Sequence, residues 1–243
     1  MSTISYRFFF NGPKVRRQFL DWILFHVEPT FFTQWQALQR ILKQRNAAIK
    51  AGLSLQQVVL WDSAFINSAD TIDQLRHTIL SEFKPIFMRC LQQLLPEYQI
   101  DMNYHRGWKE EESLATILQQ SLPRDRQLGY TQHGPQRADL RLTIAGTSAE
   151  DVLSQGQQKL ALYAFHLAQG LLLKEKTAHG PIFLIDDITS ELDHVKRDCI
   201  AQVLQEIDAQ LFITVVDANS LGQISQLNEA KLFHVEHGAI ASP

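Results

Sequence analysis

Two short, almost wholly apolar runs, IFLI at 182–185 and LFITVV at 211–216, constrain this chain more than any other feature. Apolar residues without polar alternation are the pattern of a strand covered on both faces. A helix-patterned stretch at about 194–208 lies between the runs, and another at about 155–173 precedes the first. Helix, buried strand, helix, buried strand is the order of a parallel α/β core. KLFHVEHGAI at 231–240 reads as a hairpin-like strand beyond it.

The preceding part reads differently. Residues 13–127 form a mostly helical lobe, and residues 128–243 carry the α/β pattern. KVRRQFLDWILFHV places Val15, Phe19, Trp22, Ile23 and Leu24 on a buried helical stripe. In the next helix Trp35, Leu38, Ile41 and Leu42 share one side, Arg40, Lys43 and Arg45 lie elsewhere, and Gly52 is the stop. A long helical pattern from Ser63 to Leu95 is expected to break or bend at Pro85. YQIDMNYHRGW reads as a strand, and EEESLATILQQSLPRDRQLG as a helix ending before Pro123. GYTQHGPQRADLRLTIAGTSAEDV, with alternating Leu140, Leu142 and Ile144, reads as a strand or hairpin. The Trp and Phe residues of the first forty positions read as core.

Charge is unevenly spread. Residues 1–50 hold eight Lys/Arg against two acids, +6, while the other 193 residues hold 15 bases and 24 acids, −9. A basic end on an acidic body suits a polyanion-facing surface, with Lys14, Arg16, Arg17, Lys43 and Arg45 as DNA-binding candidates, or else a solvated helix face. Two cysteines without a CxxC, and no apolar run near the ~18 residues that span a bilayer, point to a cytoplasmic protein without a disulfide framework. No signal peptide is read at the start. His234 and His237, three apart in a strand-like setting, read as surface residues.

VLSQGQQK at 152–159 enters a long apolar helix. Ser154 as N-cap and Gln157 three residues on make a capping box. Free amides of the first turn and the positive helix end favour an anion, and Gly156 leaves room for its approach. Ser154 and Gln157 could each donate to a phosphate oxygen; an ordinary capped helix has the same pattern. IFLIDDITSELD closes its strand on two carboxylates, where ligands gather in open α/β sheets. Asp186 could hold Mg²⁺ through water, and Asp187 could orient or deprotonate an attacking water. The same pair also reads as loop aspartates.

The ordered set of LSQGQ helix, IFLIDD strand and SELD loop resembles the C-terminal half of an ATP-binding-cassette ATPase head. In that likeness Ser154, Gln155, Gly156 and Gln157 stand at the signature motif, which addresses the nucleotide of an opposite subunit. IFLIDD stands at the Walker B strand, and Ser190, Glu191, Leu192 and Asp193 form the D-loop. Asp187 occupies a place where many such heads have glutamate. No histidine follows LFITVV, and Thr214 and Asp217 are the nearest polar groups.

With GPKVRRQFLDW, FHVEP, LKQRNA at Leu42–Ala47 and GPQRADLRL added, the chain resembles the RecF family of bacterial recombinational repair. The resemblance implies an ATP- and Mg-dependent DNA-binding protein of gap repair, replication restart and the SOS response. It implies single- and double-stranded DNA, RecR- and RecO-type partners, and an ATP-linked homodimer. The family's GPHR motif stands here as Gly134-Pro135-Gln136-Arg137.

None of the eleven glycines is followed by lysine, so the loop G-x-x-x-x-G-K-[ST] is missing from these 243 residues. The expectation is a shortened RecF-like chain that does not bind ATP tightly alone, with residues 1–12 a remnant or altered start. The alternatives are a DNA- or partner-binding module without nucleotide chemistry, and a Mg²⁺ phosphatase or nuclease using Asp186 and Asp187. The last would need further acids such as Glu191 and Asp217.

Overall fold

The computed structural model describes residues 12–177, 180–188, 192, 194–217, 221, 222, 224, 230–236 and 239–241. Gly12 takes a positive φ of 71°, and Pro13 then opens helix α1 (Pro13–Val27). Helix α2 (Phe31–Lys50) ends just before Gly52, whose φ of 68° turns the chain. A Ser54–Gln57 capping box starts the short helix α3 (Leu55–Val59). Helix α4 (Asp62–Leu94) runs through Pro85 as one continuous helix, so of the expected break or bend the break does not occur. Phe83, Phe87 and Cys90 are fully buried on either side of that proline, and their packing holds the helix across one lost hydrogen bond.

Strand β1 (Ile100–His105) leads to helix α5 (Leu114–Leu128), which also corrects the sequence reading. It does not end before Pro123 but continues to Gly129, where φ is 77°. Buried Leu118, Leu122 and Asp125 keep the turn around Pro123 in place. Strand β2 (Asp139–Ile144) pairs antiparallel with β1, Ile100 opposite Ile144 and His105 opposite Asp139. A hairpin adds β3 (Thr147–Ser148) to β2. The two expected lobes therefore share a sheet across residues 127 and 128, and one hydrophobic core runs through both.

After the short helix α6 (Ala149–Val152) comes α7 (Gln155–Thr177), the most deeply buried helix of the C-terminal part. Strand β4 (Ile182–Ile185), helix α8 (His194–Ile207) and strand β5 (Gln210–Ile213) follow, with β4 and β5 paired in parallel. Strands β6 (His234–Glu236) and β7 (Ala239–Ala241) form the expected hairpin. Phe165 of α7 meets Phe83 and Phe87 of α4 at ring-centroid distances of 5.0 Å each. A β-carbon on Gly170 would lie 2.9 Å from the Phe183 ring, so glycine lets α7 close onto β4.

The β4–β5 pair corrects a further expectation. IFLI was read as covered on both faces, but only Phe183 and Ile185 are buried. Ile182, Leu184 and Phe212 are more than half exposed on the other face.

Arg45 is the main correction in the helical part. It lies on the buried stripe Leu38, Leu42, Arg45, Ile49 and has no exposed surface. Its Nε donates to Asp62 at 2.8 Å, and its Nη1 donates to Asp125 at 3.1 Å and to Thr131 Oγ1 at 2.7 Å. Asn46 accepts from the amide and hydroxyl of Thr131, tying α2 to the loop after α5. Replacing Arg45 with alanine strands two buried carboxylates, and unfolding by urea should show a loss of about 3–5 kcal/mol.

His166 of α7 packs edge-on to Phe19 and faces Gln169 at 3.1 Å. Burial lowers its pKa from 6.5 to about 4, against a smaller raising effect of the Gln169 hydrogen bond. The folded state therefore binds this proton less readily than the unfolded chain. Stability is unaffected above pH 6.5 and falls as the pH drops from 6.5 towards 4, by at most about 3 kcal/mol. Urea midpoints between pH 7 and pH 4.5 should fall for the wild type and flatten in His166→Phe.

Candidate nucleotide site

The segment Ser154–Gln157, expected to be a signature motif, folds as its residue types dictate. Ser154 Oγ accepts from the Gln157 amide at 3.3 Å, and the Ser154 amide donates to Gln157 Oε1 at 2.9 Å. This closes the expected capping box at the mouth of α7. Ser154, Gln155 and Gly156 are exposed and Gln157 is half-buried. A β-carbon on Gly156 would meet nothing within 4 Å, so no packing among the described residues requires a glycine there. Glycine costs about 0.5–1 kcal/mol relative to alanine inside a helix. The open space suits close approach by something outside the chain.

Gln158 is a residue that sequence reading passed over. It is buried, and its Nε2 donates to the carbonyls of Glu150 at 3.0 Å and Leu153 at 2.9 Å. This bond pair sets the turn between α6 and α7, and with it the direction of Ser154. The signal was present as the third glutamine of QGQQ.

Asp186 and Asp187 stand at the end of β4, as expected, and Thr214 at the end of β5 joins them. The Thr214 hydroxyl donates to Asp186 Oδ1 at 2.6 Å and accepts from the Asp187 amide at 2.9 Å. The Thr214 amide in turn donates to the carbonyl of Ile185 at 2.9 Å. Asp187 takes a φ of 45°, a left-handed conformation that a non-glycine residue adopts only when its surroundings hold it. The threonine bracket is such a hold. Asp186 is exposed, and no group of three or more His, Cys, Asp or Glu side chains converges among the described residues. Of the residues expected to form a D-loop, Leu192 is buried, whereas Ser190, Glu191 and Asp193 lie outside the described residues.

The basic candidates separate into two groups. Arg45 faces the core. Arg16 donates to both oxygens of Asp139 at 2.8 and 3.1 Å, and Arg17 donates to the Ala138 carbonyl at 2.7 Å. Arg76 adds a bidentate pair with Asp21 and a bond to the Pro135 carbonyl. These arginines clamp the GPQR turn and the start of β2 onto α1 and α4. Gln136 holds the same turn by donating to the carbonyl of His133 at 3.0 Å. Only Lys14 and Lys43 of the five remain exposed.

A head that presents a capped, glycine-bearing helix start and an acidic strand end on a shared core has known counterparts. Residues 35–240 match the RecF/RecN/SMC N terminal domain family. The chain is 52% identical over 242 residues to the DNA replication and repair protein RecF of Coxiella burnetii (strain RSA 493 / Nine Mile phase I), covering 100% of this chain and 67% of that one. This chain belongs to the RecF family. It spans about two thirds of the length of that relative. A solved structure of the recombination mediator protein RecF-ATP in the RecFOR pathway superposes with a TM-score of 0.82 at 20% identity, covering 100% of this chain and 66% of that one. The Smc head domain of Pyrococcus furiosus, solved with the C-terminal domain of ScpA, gives a TM-score of 0.53 at 14% identity, covering 99% and 61%. The fold is thus that of the C-terminal half of an ABC-ATPase-like head joined to a mostly helical part.

The Thr214 bracket yields a direct test. Thr214→Val removes the hydroxyl at nearly constant volume and should destabilise by about 1 kcal/mol. The Asp187 amide should exchange with deuterium several-fold faster in that variant and at the wild-type rate in Thr214→Ser.

Proposed function

We propose that this chain provides the signature-bearing half of a composite ATP site in a RecF-type protein of DNA replication and recombinational repair. The observation that carries the reading is the exposed Ser154–Gln157 box with open space beside Gly156. An anion placed there meets free amides, a helix N-terminus and two side chains able to donate. Ser154, Gln155, Gly156 and Gln157 serve a nucleotide held by another subunit, and Ser190, Glu191, Leu192 and Asp193 form the adjoining D-loop.

Asp186 is the Mg²⁺ residue and Asp187 the general base. One exposed carboxylate at a strand end suits an ion that keeps most of its water and takes few protein ligands. Bound there, Mg²⁺ would neutralise charge on the phosphates. Thr214 fixes the direction of Asp186 and the backbone of Asp187. The 243 residues contain no glycine followed by lysine, so this chain by itself is read as neither binding ATP tightly nor hydrolysing it. Residues 13–127 are the helical lobe and 128–243 the head part, with gap repair and the SOS response as the setting, the cytoplasm as the location, and DNA, RecR- and RecO-type proteins and a second RecF-type subunit as partners. The open apolar face of Ile182, Leu184 and Phe212 supports an assembly in which further protein covers it, since such a face is a solubility liability when bare.

The test is complementation. A full-length RecF-type relative that keeps its phosphate-binding lysine but has a disabled signature serine should regain ATP turnover at least tenfold when this chain is added. The same chain with Ser154→Arg should restore nothing. Equal rescue by Ser154→Arg, or Asp186-dependent turnover by this chain alone, would sink the reading.

A further inference from the structure

We propose that the exposed aromatic cluster at the turn between α1 and α2 is a stacking platform for single-stranded nucleic acid. The sequence placed these rings in the core, and the structure does not. Trp22, Phe25 and Phe32 are 43%, 53% and 46% exposed, large values for side chains of this size. Phe31, next in sequence to Phe32, is buried, so the rings on display are a selected set.

The rings hold one another. Phe25 and Phe32 meet edge-to-face with centroids 5.6 Å apart, joining α1 to α2 across the turn. His26 lies 4.3 Å from Trp22 and 5.3 Å from Phe25. Rings fixed in this way lose little freedom when a base stacks on them. Every base has a π-face, so such a surface is tolerant of sequence.

Charge separates nucleic acid from an apolar protein partner. Lys14, Gln18, Trp22 and Phe25 follow one another at four- and three-residue steps and share one face of α1. Phe32, Gln36, Lys43 and Lys50 share one face of α2 in the same way, with Arg40 at its edge. The exposed charged residues of the two helices are Lys14, Arg40, Lys43 and Lys50, all cations. Of the two acids, Asp21 is paired with Arg76, and Glu28 at the turn accepts from the amide and hydroxyl of Thr30. A surface with aromatics at one end and lysines about 16 Å along the helix suits bases at the turn and phosphates beyond it. Four exposed cations outnumber the one carboxylate of Glu28, and a protein partner gains nothing from that net positive charge unless it is acidic.

The proposal deepens the DNA-repair reading and rests on it only for the kind of macromolecule; it does not depend on the nucleotide site. The test uses the intact chain with fluorescein-labelled oligo(dT) and oligo(U), a duplex of equal length, and a strand carrying 2-aminopurine. Binding to either single strand should quench 2-aminopurine, exceed binding to the duplex, and fall with salt at a log–log slope of about −2 for three phosphate contacts. Trp22→Ala, Phe25→Ala and Phe32→Ala should each weaken it about tenfold. Leu60→Ala, at an exposed apolar site on another element, should not. Circular dichroism checks that each surface variant folds.

Binding that ignores all three ring changes overturns the platform while leaving the DNA-repair reading in place. Absence of nucleic-acid binding by the wild type overturns the platform and counts against DNA contact by this chain. Ring-dependent self-association in sedimentation, without oligonucleotide binding, assigns the surface to a second copy and likewise overturns it. Ring-dependent binding with failed ATP complementation leaves the platform standing and removes the nucleotide reading alone.

Discussion

The packing of Phe165 among Phe19, Phe83 and Phe87 is the contact on which the remainder of the molecule depends. It joins α7 to α1 and α4, with centroids 3.9 Å from Phe19 and 5.0 Å from each of the others. Aromatic pairs in tilted or edge-on arrangements add to the apolar area they bury. Helix α7 in turn carries Ser154 at its start and, through Gly170, seats β4 against its flank. The signature segment and the acidic strand end are thereby positioned by one helix. A change in the tilt of α7 would shift both segments together.

Around that apolar centre the helical part is fastened by arginines, and this changes what its positive charge means. Arg16, Arg17, Arg45 and Arg76 all engage carboxylates or carbonyls far away in the chain. Partial burial and the neighbouring Arg76 lower the Arg17 pKa, while Asp21 and Asp139 oppose that shift. Planar guanidinium groups suit these bidentate and carbonyl-bridging roles better than lysine does. The +6 of the first fifty residues is therefore mostly architectural where it is arginine, and outward-facing where it is lysine. Charge counting along a sequence cannot separate the two, because the partners lie 17 to 123 positions away.

What was legible in the sequence was what local patterning controls. The capping box at Ser154, the strands read in IFLI at 182–185 and LFITVV at 211–216 (the second found at 210–213), and their order around α8 follow from short apolar runs and from the turn chemistry of neighbouring residues. Misreadings arose where tertiary packing outweighs a local rule. Pro85 and Pro123 stay inside helices because buried side chains on adjacent turns hold them there. Trp22 was placed on a buried stripe of α1 with Val15, Phe19, Ile23 and Leu24, yet the buried face of α1 is set by Leu20, Ile23 and Leu24. Arg45 was read as surface by its charge, although 38, 42, 45 and 49 trace a buried helical stripe. For Arg45 the periodicity of its neighbours was the better guide and residue type the poorer one.

Thr214 shows the same logic at the level of chemistry. Nothing in LFITVV distinguishes its threonine from a strand residue of good β-propensity. Only the parallel register, with Ile185 opposite Ile213, brings the next residue on β5 beside the next on β4. The hydroxyl can then accept from one backbone amide and donate to one carboxylate, and these two bonds use the polar capacity of a group that would otherwise interrupt an apolar run. A carboxylate held by a neutral donor keeps its charge available, whereas an arginine or lysine in the same place would neutralise it. An acidic strand end meant to face phosphates and a hydrated cation needs that retained charge, so a hydroxyl bracket fits the proposed site where a salt bridge would not.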